Sequence, residues 1–220
     1  MHALHPRRIR RAALAMLTTG ATLLVVAALI PTSAHAAACT KTMTGTNRGV
    51  INVAGGQKLC MRGVTQTGAV NVAPGGGLSV TKSSTITGAI TLKSGYTEFI
   101  FCGSKTIRGA ISATGGKSAV LIGGDVAGAT ACPANTIGGA VTLNANKKGV
   151  TLGRNKIAGA VTASANLGDP LVSGSGTLIT GNMIGGALTC TTNAPAPTNG
   201  DVPNVVGGGR SGQTCSVLTF

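Results

Sequence analysis

Apolar residues recur along this chain around a short phrase in which glycine precedes a small residue and an aliphatic one. Seven copies are present: Gly49-Val50-Ile51, Gly68-Ala69-Val70, Gly88-Ala89-Ile90, Gly109-Ala110-Ile111, Gly139-Ala140-Val141, Gly159-Ala160-Val161 and Gly186-Ala187-Leu188. Successive glycines lie 19, 20, 21, 30, 20 and 27 residues apart. A period near 20 residues, with two longer intervals that indicate insertions, predicts repeats that stack on one another.

The residues around each glycine alternate between apolar and polar, as expected for a half-buried strand. Two positions before it stand Ile86, Ile107, Ile137, Ile157 and Ile184. Two positions after it stand Ile51, Val70, Ile90, Ile111, Val141, Val161 and Leu188, and four after it Val53, Val72, Leu92, Ala113, Leu143, Ala163 and Cys190. We predict that these columns face a core and that the residues between them face solvent.

A second apolar segment follows in most copies, at 78–80, 99–101, 120–122 and 150–152, so each repeat carries at least two strands. Asn135, Asn155 and Asn182 share one register at a turn, where asparagine tolerates left-handed backbone and can stack with its copies. The chain is therefore predicted to be all-β, a single-stranded parallel β-helix (β-solenoid) of about seven coils.

The ends of the chain differ from the repeats. Basic Arg7, Arg8, Arg10 and Arg11, the apolar run 12–30 and Ala34-His35-Ala36 predict a signal peptide over 1–36. Residues 37–190 would form the solenoid, and 191–220 a Pro/Gly-rich C-terminal cap tied by a disulfide. No transmembrane segment is expected in the mature chain, which would be secreted, extracellular or associated with the cell surface.

Six cysteines remain after such a cleavage, and none forms a CxxC pair. All three histidines fall within 1–36, so no metal or other cofactor is expected. Successive cysteines lie about one coil apart, which favours three structural disulfides among the fifteen connectivities. These pairs are Cys39–Cys60, Cys102–Cys132 and Cys190–Cys215.

Carboxylates are scarce: the chain has only Glu98, Asp125, Asp169 and Asp201. Glu98 and Asp169 share a register but lie about three coils apart, too far for paired catalytic acids. We therefore predict no catalytic residues and no enzyme activity, with a polysaccharide lyase-like enzyme as the disfavoured alternative.

Basic residues are the most suggestive group, because residues 37–220 contain 14 of them against four acids, a net charge of +10. Those predicted near the turn after the second strand are Arg62, Lys82, Lys105, Arg154 and Lys156. Lys58, Lys117, Lys147 and Lys148 would form a second row at the turn before it. Stacking predicts two cationic rows for an acidic polysaccharide or cell-wall polymer. A dedicated nucleic-acid partner is disfavoured, since one Tyr, three Phe and no Trp leave few stacking platforms.

Small outward residues support a different hypothesis, an ice-binding or self-associating face. Three columns are predicted there: Thr46, Thr65, Thr85, Thr106 and Thr136; Ala69, Ala89, Ala110, Ala140, Ala160 and Ala187; and Asn52, Asn71, Thr91, Ser112, Thr142, Thr162 and Thr189.

The C-terminal sequence resembles a known group. It runs Asn182-Met183-Ile184-Gly185-Gly186-Ala187-Leu188-Thr189-Cys190, then Asn193-Ala194-Pro195-Ala196-Pro197, Asn204-Val205-Val206-Gly207 and Gly212-Gln213-Thr214-Cys215. Such ends are similar to those of small secreted actinobacterial β-helix repeat proteins, whose function is uncharacterised. The resemblance implies an exported envelope or extracellular protein. With the charge pattern, it leads us to expect a non-catalytic surface for adhesion or assembly.

Overall fold

A computed structural model describes residues 38–103, 106–124, 132–168, 176–217 and 219–220. The predicted signal peptide lies outside these residues. Within them the chain is all-β, with 21 strands and one short 3-10 helix, η1 (Gln213–Ser216). In this part of the chain, no helix is long and apolar enough to cross a membrane.

The strands pair in parallel and form three stacks, which we name A, B and C. Stack A contains the first part of β3 (Lys58–Gln66), β5 (Gly77–Thr81), β8 (Glu98–Phe101), β11 (Val120–Ile122), β14 (Val150–Gly153) and β17 (Thr177–Thr180). Stack B contains the last part of β3, β6 (Thr85–Ile86), β9 (Thr106–Ile107), β12 (Thr136–Ile137), β15 (Lys156–Ile157), β18 (Met183–Ile184) and β20 (Val205–Val206). Stack C contains β2 (Ile51–Val53), β4 (Val70–Val72), β7 (Ile90–Leu92), β10 (Ile111–Thr114), β13 (Val141–Asn144), β16 (Val161–Ser164), β19 (Leu188–Thr191) and β21 (Arg210–Ser211).

Long strand β3 joins stacks A and B into one 13-stranded sheet, because its first part pairs with β5 and its last part with β6. β1 (Lys41–Asn47) pairs along the whole of β3. Stack C is a separate eight-stranded sheet. Each full repeat thus contributes one short strand to B, one to C and one to A, in that chain order.

The recurring glycine stands between the strands of stacks B and C, so the single strand predicted there is in fact two. The physical reason is visible at Gly109. A Cβ at this position would lie 2.6 Å from the backbone N of Ala89 and 2.6 Å from the carbonyl C of Gly88. Consecutive repeats approach too closely at this corner for any side chain, and only glycine lets the chain turn there.

Burial follows the predicted columns. Ile86, Ile107 and Ile137 in stack B are fully buried, as are Val70, Ile90 and Val141 in stack C. The prediction that these positions face the core is confirmed. Aliphatic side chains stacked on their own copies supply most of the apolar area removed from water.

Two rows of amide side chains run along the stacks, all of them buried except Gln213 at the end of the second row. The first amide ladder comprises Asn135, Asn155, Asn182 and Asn204, and the second comprises Asn146, Asn166, Asn193 and Gln213. In a typical step, Nδ2 of Asn146 donates to Oδ1 of Asn166 at 2.8 Å and to the carbonyl of Ala113 at 3.1 Å. The backbone N–H of Asn146 also donates to Oδ1 of Asn166, at 3.1 Å.

The predicted stacking of Asn135, Asn155 and Asn182 is confirmed, since Asn135 Nδ2 donates to Asn155 Oδ1 at 2.8 Å and Asn155 Nδ2 to Asn182 Oδ1 at 3.1 Å. The predicted left-handed backbone at these asparagines is wrong. Positive φ values fall instead on preceding residues, 55° at Arg154 and 60° at Gly181. The turn therefore bends one residue early, and this leaves the asparagine side chain pointing inward.

Three disulfides link Cys39 with Cys60, Cys102 with Cys132 and Cys190 with Cys215, the same pairs that the spacing favours. They are consistent with an oxidising environment. The third bridge ties β19 to η1. Parallel pairing also continues into the predicted cap, because β20 pairs with β18 and β21 with β19.

Candidate polyanion-binding surface

Four of the five basic residues predicted after the second strand are described, and all four are exposed. Arg62 lies on β3 in register with Thr81, the residue before Lys82, so Arg62 and Lys82 are close neighbours. Arg154 and Lys156 flank the turn after β14. Lys105 lies outside the described residues.

The structure does not arrange these four as an even row. Two strands of stack A, β8 and β11, lie between the Lys82 turn and the Arg154 turn. At about 4.8 Å per strand, the two turns are roughly 14 Å apart. Lys105 follows β8 in the chain but lies outside the described residues, so the expectation of a cationic row through all five residues stays a prediction. Lys156 belongs to another column, in register with Thr136 of stack B.

Lys58, predicted in the second cationic row, is engaged instead in an ion pair and is only 7% exposed. Its Nζ lies 2.6 Å from Oε1 and 2.7 Å from Oε2 of Glu98, on β8. Gly77 stands between them in the register, and its missing side chain lets the lysine reach across. Glu98, one of two acids in the described residues, is therefore neutralised inside the protein.

The remaining lysines of the second row do come together, with one addition. Lys93, Lys117, Lys147 and Lys148 occupy the connections from stack C to stack A in three consecutive repeats; we call them the lysine corner. The backbone N–H of Lys117 donates to Tyr96 O at 2.9 Å, and that of Lys147 to Gly116 O at 2.9 Å. Successive connections are therefore in direct contact, about one strand spacing apart.

Buried groups hold the lysine corner in place from below. Oδ1 of Asn146 accepts from the Tyr96 hydroxyl at 2.7 Å and from the Gly116 N–H at 2.9 Å. Lys117 directly follows Gly116 and Lys147 directly follows Asn146. Burial raises the pKa of Tyr96 above its ordinary value, so this hydroxyl stays a donor. The lysine backbones are fixed by a satisfied buried network, which lowers the ordering cost of binding.

Positive charge exceeds negative charge around three members of the lysine corner, Lys93, Lys117 and Lys147. Among the described residues the only acids are Glu98, already paired with Lys58, and Asp201 in the C-terminal region. Lys93, Lys117 and Lys147 are exposed. Three adjacent repeats therefore present positive charge at one corner, a geometry that suits a linear polyanion running along the stack.

The small-residue columns are in the predicted registers but do not share one strand. Thr46, Thr65, Thr85, Thr106 and Thr136 pair in sequence along stack B and its β1 extension. Asn52, Asn71, Thr91, Ser112, Thr142, Thr162 and Thr189 pair along stack C. The alanine column marks the corner between these stacks, where each Ala carbonyl accepts from the repeat before it.

Sequence reasoning missed Lys93 as a member of the lysine corner. Counted from the recurring glycine, it stands five residues after Gly88, whereas Lys117 and Lys147 each stand eight residues after theirs. The three connections have the same length, because Leu92, Ala113 and Leu143 pair in register and so do Phe99, Val120 and Val150. Lys93 therefore lies three positions earlier on its connection than Lys117 and Lys147 do on theirs. Assigning each lysine to its connection between strands, and not to one position counted from the glycine, would have grouped them.

The chain was compared with protein-family models, curated proteins and solved structures. None of the three comparisons finds a match.

Proposed function

We propose that this protein is a secreted, non-catalytic β-solenoid that adheres to acidic polymers of the extracellular space or cell envelope. Parallel strands that pair with their copies in neighbouring repeats, three in each full repeat, support the solenoid. The predicted signal peptide and the disulfides support export. The resemblance to secreted actinobacterial repeat proteins fits the same proposal.

One observation carries the binding proposal: Lys93, Lys117 and Lys147 place exposed cations on three consecutive connections, while Glu98 is paired with Lys58 and Asp201 lies in the C-terminal region. Each exposed contact contributes only ~0.5 kcal/mol, but a linear polymer meets several at once. At about 0.15 M salt the Debye length is ~8 Å, so neighbouring lysines act together. An acidic polysaccharide or cell-wall polymer is the partner class we propose.

A non-catalytic role is supported by the state of Glu98, whose two carboxylate oxygens both contact Lys58. A carboxylate committed to an internal ion pair is poorly placed for proton transfer to a substrate. Asp125 and Asp169 lie outside the described residues.

The test is binding of the mature protein to immobilised polygalacturonate at increasing salt. Affinity should fall steeply as the salt concentration rises. Binding releases counterions from the polymer, and added salt opposes this release. The triple variant K93Q/K117Q/K147Q should bind about tenfold more weakly, the combined effect of three contacts of ~0.5 kcal/mol.

The matched control is R62Q/K82Q/K156Q, which removes the same net charge from outside the lysine corner. We expect this control to change affinity less than about twofold. Equal weakening by the two triple variants would show that only net charge matters, and unchanged binding by both would refute polyanion adhesion.

A second candidate, ice binding or self-assembly, is favoured by one observation on stack C. Its outward column of Asn, Thr and Ser residues continues without a charge from Asn52 through Thr189 to Ser211. The column repeats at each strand spacing, as a lattice-matching or self-associating face requires. The variant T142K/T162K should abolish ice-crystal shaping or concentration-dependent sedimentation. Wild-type protein that shows neither behaviour removes this candidate.

A further inference from the structure

A cavity of about 150 Å³ opens on the outer side of stack C, at the end of the lysine corner. Its lining consists of Asn52, Val53, Ala54, Asn71, Ala73 and Lys93. The cavity exists because the side chains along one register column change in size. Ala54 and Ala73 precede Lys93 in that column, and Thr114 and Asn144 follow it.

The cavity offers three kinds of contact. Ala54 and Ala73 give an apolar floor, Asn52 and Asn71 give amides on one side, and Lys93 gives a positive charge. Asn71 Nδ2 donates to Asn52 Oδ1 at 3.1 Å, which orients the pair and turns Asn52 Nδ2 and Asn71 Oδ1 towards other partners. An amide donor, an amide acceptor and a cation thus surround a floor that is formed by two small methyl side chains.

We propose that this cavity is a subsite for one uronic acid unit of an acidic polysaccharide. A sugar ring has an apolar face of C–H groups, hydroxyls that donate and accept, and, in a uronic acid, one carboxylate. These features match the alanine floor, the two amides and Lys93 in turn. A phosphate chain has no apolar face or hydroxyl donors to use the floor and the amides.

The subsite is continuous with the lysine corner. A Cβ at Gly95 would lie 3.6 Å from Cβ of Pro74 and 3.9 Å from Cε of Lys117. Pro74 directly follows Ala73 of the cavity floor, so only Gly95 separates this end of the cavity from the outer part of the Lys117 side chain. A polymer with one unit in the cavity would place its next acidic units against Lys117 and Lys147. This inference rests on the proposed polyanion-binding function and names its ligand class.

The experiment measures binding of tetragalacturonate and of inorganic polyphosphate by calorimetry to the whole mature protein. Ala73→Leu fills the cavity with an outward side chain and keeps every charge. We expect it to weaken tetragalacturonate at least fivefold and to leave polyphosphate within twofold of wild type. Asn71→Asp places a carboxylate of the protein beside the carboxylate of the ligand. It should therefore weaken tetragalacturonate binding more than Ala73→Leu does.

Thr191→Leu is the matched control, since Thr191 is exposed in the same column but lies far from the cavity. It should bind both probes as wild type does, and circular dichroism should be the same for all variants. Ala73→Leu and Thr191→Leu with equal affinity for tetragalacturonate would overturn the subsite. Wild-type protein that binds polyphosphate but not tetragalacturonate would overturn the subsite alone, and binding of neither probe would overturn the proposed function with it.

Discussion

The two halves of the described chain fill the same backbone register in different ways. In residues 38–124 the interior contains the fully buried aromatic side chains Tyr96, Phe99 and Phe101, together with Met61 and Leu78. In residues 132–217 it contains the two amide ladders, and the central core columns shrink in places to Ala163 and Cys190. Tyr96 is the junction, because its hydroxyl bonds to the first asparagine of the second ladder.

The difference shows that one pairing pattern tolerates two sources of stability. An aromatic ring fills its own layer and needs apolar neighbours of complementary shape. A buried asparagine instead needs a copy of itself in the next layer, because each amide satisfies its neighbour's donors. Truncation of a buried side chain in the first half should leave a local cavity. Truncation of a ladder amide in the second half should leave unpaired polar groups in two layers.

The largest effect is expected from Phe99→Ala, in the aromatic half. Phe99 is fully buried on β8, and its truncation removes apolar contact and leaves a cavity. We expect a loss of about 4 kcal/mol in the free energy of unfolding, measured with urea. Ile100→Ala, on the outward side of the same strand, should cost less than about 1 kcal/mol. Similar losses of unfolding free energy for the two variants would contradict the conclusion that Phe99 points into the core and Ile100 points outward.

Removal of a disulfide at either end should cause the next largest loss of unfolding free energy. This loss should be similar in the two halves. Cys39–Cys60 and Cys190–Cys215 close loops of similar length, with sequence separations of 21 and 25. Loop-closure entropy predicts a loss of ~3.5 kcal/mol for either pair replaced by alanine. Thermal unfolding of C39A/C60A and C190A/C215A would measure it. Intact mass should also show six hydrogens fewer in the oxidised chain than in the reduced chain, and six titratable thiols would contradict this.

Asn155→Ala should break the first amide ladder at a cost of about 3 kcal/mol. The substitution removes the Nδ2 donor to the Ile122 carbonyl and the acceptor of the Asn135 backbone N–H, and it leaves Asn135 Nδ2 with only the Phe101 carbonyl at 3.4 Å. Each orphaned buried group costs on the order of 1 kcal/mol or more. Asn144→Ala is the control, because Asn144 lies on the outer side of β13 and should cost under about 1 kcal/mol. Hydrogen exchange should show faster opening in both adjoining repeats, and an effect confined to one repeat would contradict the ladder model.

The smallest effect is expected on the outer side of stack B. Thr106 and Thr136 are exposed neighbours in one column. Thr106→Lys should change the free energy of unfolding by no more than about 0.5 kcal/mol, since surface positions of this kind are tolerant. A larger loss in urea unfolding would show that the threonine column contributes to folding in both halves.

Much of this arrangement could be predicted from local sequence. Alternation around the recurring glycine identified the buried columns, because side chains of a strand point to opposite sides in turn. The cysteine spacing favoured the observed disulfides, since residues one repeat apart become neighbours. The division of the predicted first strand into strands of stacks B and C was missed, because alternation continues across the glycine corner.

The candidate site was less predictable than the fold. The row of Arg62, Lys82, Lys105, Arg154 and Lys156 looked even in sequence, but Lys156 lies in a column of stack B, in register with Thr136. Lys58 looked solvent-exposed, but Gly77 opens a path for it to Glu98. Both errors come from counting positions in one repeat without the residues above and below.

The sequence by itself determined the period, the inward columns and the cysteine partners, because these depend on alternation and on the distance between copies along the chain. The tertiary structure alone decided which lysines adjoin one another, which lysine is neutralised, and where the column Ala54, Ala73, Lys93 opens a cavity. The physical reason is that the surroundings of a side chain depend on the residues stacked above and below it, such as Gly77 between Lys58 and Glu98, and not on its own repeat alone.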